Sequence, residues 1–126
     1  MASQNNPGRQ ADPQHAVTIV ATAALAASRI VAYDGGYATS AGTLKDAQGV
    51  SQSAAEIGQA VALTTRYSEL VECSAPITFG AYIKPAADAT GRAAVGSLAD
   101  HCGRALGATT AAGQLVEMEI KPHVHP

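Results

Sequence analysis

The sequence predicts a mainly β fold: one small β-barrel or β-sandwich of short hairpins, with an extended N-terminal arm. From Ala16 onward, short runs of strand-forming residues are separated by Gly, Asp, Pro and Ser, and helical spacing is hard to find. Near the end, Val116, Met118 and Ile120 alternate with Glu117 and Glu119, so one face meets a core and the other carries carboxylates into water. A chain of 126 residues has the length of one domain with one core.

The elements follow in order. Residues 1–14 contain Gln4, Asn5, Asn6, Pro7, Gly8, Gln10, Pro13 and Gln14, with no large apolar residue after Met1, and are expected to form an arm. The β domain is expected over 15–121. Strands are placed near Ala16 to Ala21, Arg29 to Tyr33, Gly36 to Thr39, Val50 to Ala54, Ala60 to Thr65, Glu69 to Cys73, Ala81 to Lys84, Arg92 to Val95, Gly103 to Ala108 and Gln114 to Ile120. Asp46 to Gln59 is the least regular stretch, and Ala54 to Ile57 suits a helical turn. Residues 122–126, Pro-His-Val-His-Pro, are expected to be a solvated tail.

Two stretches read as the same hairpin unit, one from Leu25 to Ala38 and one from Ile77 to Ala93. In each, an apolar residue is followed three positions later by a small turn residue, Ser28 or Gly80, then by an apolar strand, a Gly-containing turn and a returning strand. Asp34-Gly35 predicts a two-residue type I′ turn, because that turn needs positive φ.

Composition narrows function. The apolar side is dominated by Ala, with one Phe and no Trp, so the core is built from small side chains. At about 0.8 kcal/mol per buried methylene, such a core stabilises less per residue than a Leu-rich one, and support from a partner surface is plausible. Eight basic and ten acidic residues are scattered singly, which offers nothing to a polyanion. The best membrane candidate, Ala16 to Ala27, is too short and is interrupted by Thr18 and Thr22, so no membrane partner is expected. Cys73 and Cys102 lack metal-ligand spacing, and Met1 to Gln14 has no apolar leader core; both are expected as reduced thiols of a cytosol-made protein.

The order of several motifs resembles a known family. These are Gly58-Gln59-Ala60-Val61-Ala62-Leu63, Glu69 to Cys73, Ala75-Pro76-Ile77-Thr78 through Gly80, Thr90-Gly91-Arg92-Ala93, Gly103-Arg104-Ala105-Leu106, and Ala112 to Ile120. Over about Val17 to Ile120 the chain resembles the capsid decoration (cement) proteins of tailed bacteriophages, a head-decoration domain once catalogued as a domain of unknown function. The resemblance implies a mainly β structural virion protein on the outer capsid surface, made in the host cytoplasm. Its implied partners are the major capsid protein and further copies of itself, as a trimer or dimer, and its mechanism is adhesion that bridges capsomers. It implies no catalytic residues, and no cofactor and no metal are expected. The fourteen-residue lead and the 122–126 tail depart from the shorter members of that family.

The residues themselves offer little to an enzyme. His123 and His125 are two apart and point the same way in an extended chain, but two ligands are too few for a closed zinc site. Asp100-His101-Cys102 is contiguous, and neighbours in a strand point in different directions, so contiguity does not make a Cys-His pair. Glu117 and Glu119, roughly 7 Å apart by strand rise, lack the aromatic cleft of a glycosidase. Arg66, Arg92 and Arg104 share no spacing, and no phosphate-binding loop precedes a helix. The alternative expectation is a host-surface or carbohydrate-binding β module. Its aromatic platform would have to come from Tyr33, Tyr37, Tyr67, Phe79 and Tyr82.

Overall fold

A computed structural model describes residues 16–39 and 43–126. The arm expected over 1–14 lies outside the described residues, as does His15. The described chain is mainly β, in two antiparallel sheets that stack like a sandwich and do not close into a barrel. The first sheet holds β1 (Ala16–Val20), β2 (Ile30–Ala32), β3 (Ala47–Ser51) and β4 (Ala60–Thr64), in the order β1-β4-β3-β2. The second holds β5 (Ser68–Glu72), β6 (Tyr82–Pro85), β7 (Ala93–Val95), β8 (His101–Ala105) and β9 (Leu115–Val124), in the order β5-β9-β8-β6-β7.

Most expected strands are present within a few residues of their predicted bounds. Gly36 to Thr39 is the exception, reduced to a single bridge between Val31 and Tyr37. The strand expected at Val50 to Ala54 lies earlier, as β3, and no helical turn forms at Ala54 to Ile57, where Leu25 and Ala55 exchange backbone hydrogen bonds. The helical turn among the described residues is a 3₁₀ turn at Thr43–Lys45.

The Asp34-Gly35 turn also differs from expectation. Gly35 has positive φ, +87°, but Asp34 does not, so the turn is not type I′. Gly35 N–H donates to the Ala32 carbonyl, and Ala32 N–H to the Gly36 carbonyl, which makes Tyr33-Asp34-Gly35 a three-residue loop. The Asp34 carboxylate explains the choice: it accepts the Gly36 N–H at 2.9 Å and the Lys45 ammonium at 2.7 Å. The Lys45 bond is the main reason the Asp34 carboxyl is held below its ordinary pKa.

The two hairpin units belong to a larger repeat. Replace β1, β4, β3 and β2 by β5, β9, β8 and β6, and the order of the first sheet becomes that of the second, with β7 added at one edge. The loops share several bonds. Ala21 N–H donates to Gln59 O and Gly58 N–H to Ala21 O; Cys73 N–H donates to Gln114 O and Gly113 N–H to Cys73 O. The Gln59 side-chain oxygen accepts Glu56 N–H, as that of Gln114 accepts Ala111 N–H. Ser28 and Gly80, the small residues of the two units, both have positive φ.

Each half closes one sheet face with its own loops. In the first half Leu25 and Ala21 cover Val31, Val61 and Leu63; in the second, Ile77 and Cys73 share a cluster with Ile83, Val116 and Met118. Ile30, Ala32 and Val50, on the opposite face of the first sheet, join that second cluster. Pairing places Tyr82, Lys84 and Arg104 at the corresponding positions of the second half. Apolar side chains there seat one half on the other, and polar ones end the stack.

The halves are riveted at Arg29. Its guanidinium reaches Glu72 at 3.2 Å and the Thr90 carbonyl at 2.8 Å, and lies over the Tyr37 ring. Backbone bonds from Glu72 N–H to Ser28 O and from Ile30 N–H to Gly91 O flank it.

Candidate functional site

The last strand does not stop at Ile120. It continues through Lys121, Pro122 and His123 to Val124, so most of the expected 122–126 tail is sheet. Pro122 is tolerated because β5 pairs with β9 only over Leu115 to Glu119, and β8 makes a bulge between His101 and Gly103.

His123 is consequently not solvated: its side chain is 2 % exposed. Nδ1 accepts the backbone N–H of Ala47 at 2.8 Å, a bond from β3 of one sheet to β9 of the other. The neutral ring therefore carries its proton on Nε2, which is buried without a hydrogen-bond partner. Burial pushes the His123 pKa down, against the opposing pull of Asp46. His125 lies on the same side of the strand, with its ring 5.4 Å from that of His123, and its Nε2 meets Asp46 Oδ1 at 2.8 Å. The Pro126 carbonyl, ahead of Asp46, raises its pKa. The two histidines thus clasp the sheets together, which is a different task from joint metal chelation. No group of three or more potential metal ligands occurs among the described residues.

A cleft of about 660 Å³ opens beside this clasp, between the sheets. Ile30, Val50, Met118 and Ile120 line it, with Arg66 and Lys121 among its charged residues. Sequence reasoning did not foresee it, because its walls come from both halves of the chain.

The other candidates disperse. Asp100 pairs with Lys84 at 3.4 Å, and His101 Nδ1 meets the carbonyls of Ser97 and Leu98. Cys102 is buried, and burial pushes its thiol up to about 12, so no thiolate forms there near neutral pH. Cys73 and Cys102 are both buried free thiols. Glu117 accepts a hydrogen bond from Ser68 Oγ at 2.6 Å, and Glu119 faces Lys121 at 3.8 Å. Arg92 pairs with Glu72 and Asp88, while Arg104 donates to the Gly80 carbonyl and lies over Tyr82. Tyr37 Oη accepts the Ala26 N–H.

What remains available to a partner is surface. Leu70 and Leu115 are half exposed on the outer face of the second sheet, beside Glu117. Val20, with Ala16, Thr18 and Ala60, forms an uncharged outer face on the first. Tyr33, Tyr67 and Phe79 are also exposed.

No protein-family model and no curated protein sequence matches the chain. Among solved structures, the N base of head fiber gp8.5 of bacteriophage phi29 has the same fold. The TM-score is 0.67 and the identity 19 %, over 88 % of this chain and 97 % of that one. At that identity the likeness speaks for the fold, and it embraces both halves of the repeat.

Proposed function

We propose that this chain is a structural protein of a phage head, a decoration protein on the outer capsid surface that bridges neighbouring capsomers. The observation that carries the reading is the shared fold with a head fiber base, which runs nearly end to end in both chains. The motif order from Val17 to Ile120 points the same way. The exposed Ala-, Val- and Leu-bearing faces give such a protein contact area, for the major capsid protein and for further copies of itself. Its work is adhesion without catalysis: many modest contacts, multiplied by oligomeric geometry, that brace the shell against packaged DNA.

The test is co-sedimentation of the purified chain with heads of its phage, expanded and unexpanded. The reading expects saturable, stoichiometric binding to expanded heads. Absence of binding to either form, together with strong signals on a glycan array, would favour a host-surface module instead.

A further inference from the structure

The repeat lets one half of the chain be compared with the other. Val31 pairs with Gly49 as Ile83 pairs with Gly103, which sets Leu44-Lys45-Asp46-Ala47-Gln48-Gly49 against Leu98-Ala99-Asp100-His101-Cys102-Gly103. Three positions are identical: the leucine, the aspartate and the glycine. Two of these have a structural reason. A Cβ on Gly49 would lie 2.6 Å from the Thr64 carbonyl oxygen, and one on Gly103 would lie 2.5 Å from that of Glu119, so only glycine fits. Asp46 and Asp100 hold His125 and Lys84.

The leucines have no such reason. Leu44 is 66 % exposed and Leu98 71 %, so neither serves the core. One exposed leucine is ordinary; here the same one recurs five residues before the paired glycine in both halves. Each is also held firmly. The Leu44 carbonyl accepts Asp34 N–H, next to the Lys45–Asp34 ion pair. The Leu98 loop is closed by two backbone bonds between Ser97 and Asp100, and by His101 Nδ1 against its carbonyls. Both loops flank the end of β9, where Asp46 meets His125 at 2.8 Å and His101 pairs with Val124.

We propose that Leu44 and Leu98 are equivalent knobs that enter apolar recesses on two adjacent copies of one partner protein. This rests on the head-protein reading and names the contacts that do the bridging. Equal knobs select equal recesses, and a shell built from one protein presents those at a fixed spacing. Binding at the second recess becomes intramolecular once the first is filled, so two weak contacts act as one strong one.

The experiment compares the full chain with Leu44→Ala, Leu98→Ala and the double variant, on assembled heads and on dissociated major capsid protein. On heads, each single variant should weaken binding by about ten-fold or more, to a similar degree, and the double variant should bind only residually. On dissociated subunits each single variant should lose no more than about two-fold, since one knob still fits one recess. Melting midpoints should not move. Wild type that binds heads, with single variants that bind as well as it does, would overturn the pair alone. So would one leucine carrying the whole loss on both targets, or variants that lose self-association while keeping head binding. Wild type that does not bind heads would overturn the head-protein reading and the pair with it.

Discussion

His123 Nδ1 accepts the backbone N–H of Ala47 at 2.8 Å, and so ties the end of β9 in one sheet to the start of β3 in the other. An acceptor nitrogen must be unprotonated, which makes the tie sensitive to pH. Burial holds the folded pKa of His123 below its ordinary 6.5. Below about 6.5, then, the unfolded chain binds a proton that the folded chain resists, and stability falls as pH falls through the window down to the lowered value. His125 acts oppositely: its raised pKa gives stability below its ordinary value, lost as pH rises through the folded one. It is only partly covered, and solvent screens its share.

Replacing His123 by Asn keeps an acceptor near the Nδ1 position and removes the titration. The wild type should melt at a lower temperature at pH 5 than at pH 7, and His123→Asn should lose distinctly less over the same span. Equal losses in both proteins would show that the tie does not govern acid stability.

Gly49 and Gly103 sit where strands pass too closely for a Cβ. Gly49→Ala and Gly103→Ala should each cost about 2 to 3 kcal/mol, the usual cost of forcing atoms into a packed site. Gly107→Ala is the control, because its Cβ would meet nothing nearer than Val116 Cγ2 at 3.8 Å; it should stay within about 0.5 kcal/mol. Urea titrations of the three would settle the comparison, and similar midpoints for all would contradict the strand register.

Met118 is 1 % exposed, whereas the Glu119 side chain is 46 % exposed and only loosely paired with Lys121. Met118→Asp places an unpaired carboxylate in the larger core and should cost more than about 3 kcal/mol. Glu119→Gln should change stability by less than about 0.5 kcal/mol. Comparable damage from both would mean that the alternation in β9 has been assigned to the wrong faces.

The strands were legible wherever alternation or punctuation was local. Val116, Met118 and Glu117 announce the faces of β9 without help from the rest of the chain, and Ser28 and Gly80 mark equivalent turns through their neighbours alone. What the sequence hid was set by distant partners. Nothing near Pro122 and His123 indicates a buried strand, because the group that buries His123 belongs to Ala47 in the other half. The Asp34 turn departs from type I′ where its carboxylate holds both the Gly36 N–H and Lys45, and the Lys45 contact is invisible to a dipeptide rule. The full repeat was hidden as well: Gly58-Gln59 and Gly113-Gln114 form the same turn, but Ile30, Ala32 and Val50 of an apolar joint in one half stand where Tyr82, Lys84 and Arg104 stand in the other.

Imaging of the head tests most directly the proposal that this chain coats a phage head from outside. Cryo-electron microscopy of heads saturated with the purified chain, subtracted from a reconstruction of bare heads, should show difference density on the outer surface. That density should recur at fixed lattice positions, touch adjacent capsid subunits and accommodate the two-sheet fold. Saturated heads with no added external density, or with density confined to the interior or the tail, would contradict the account.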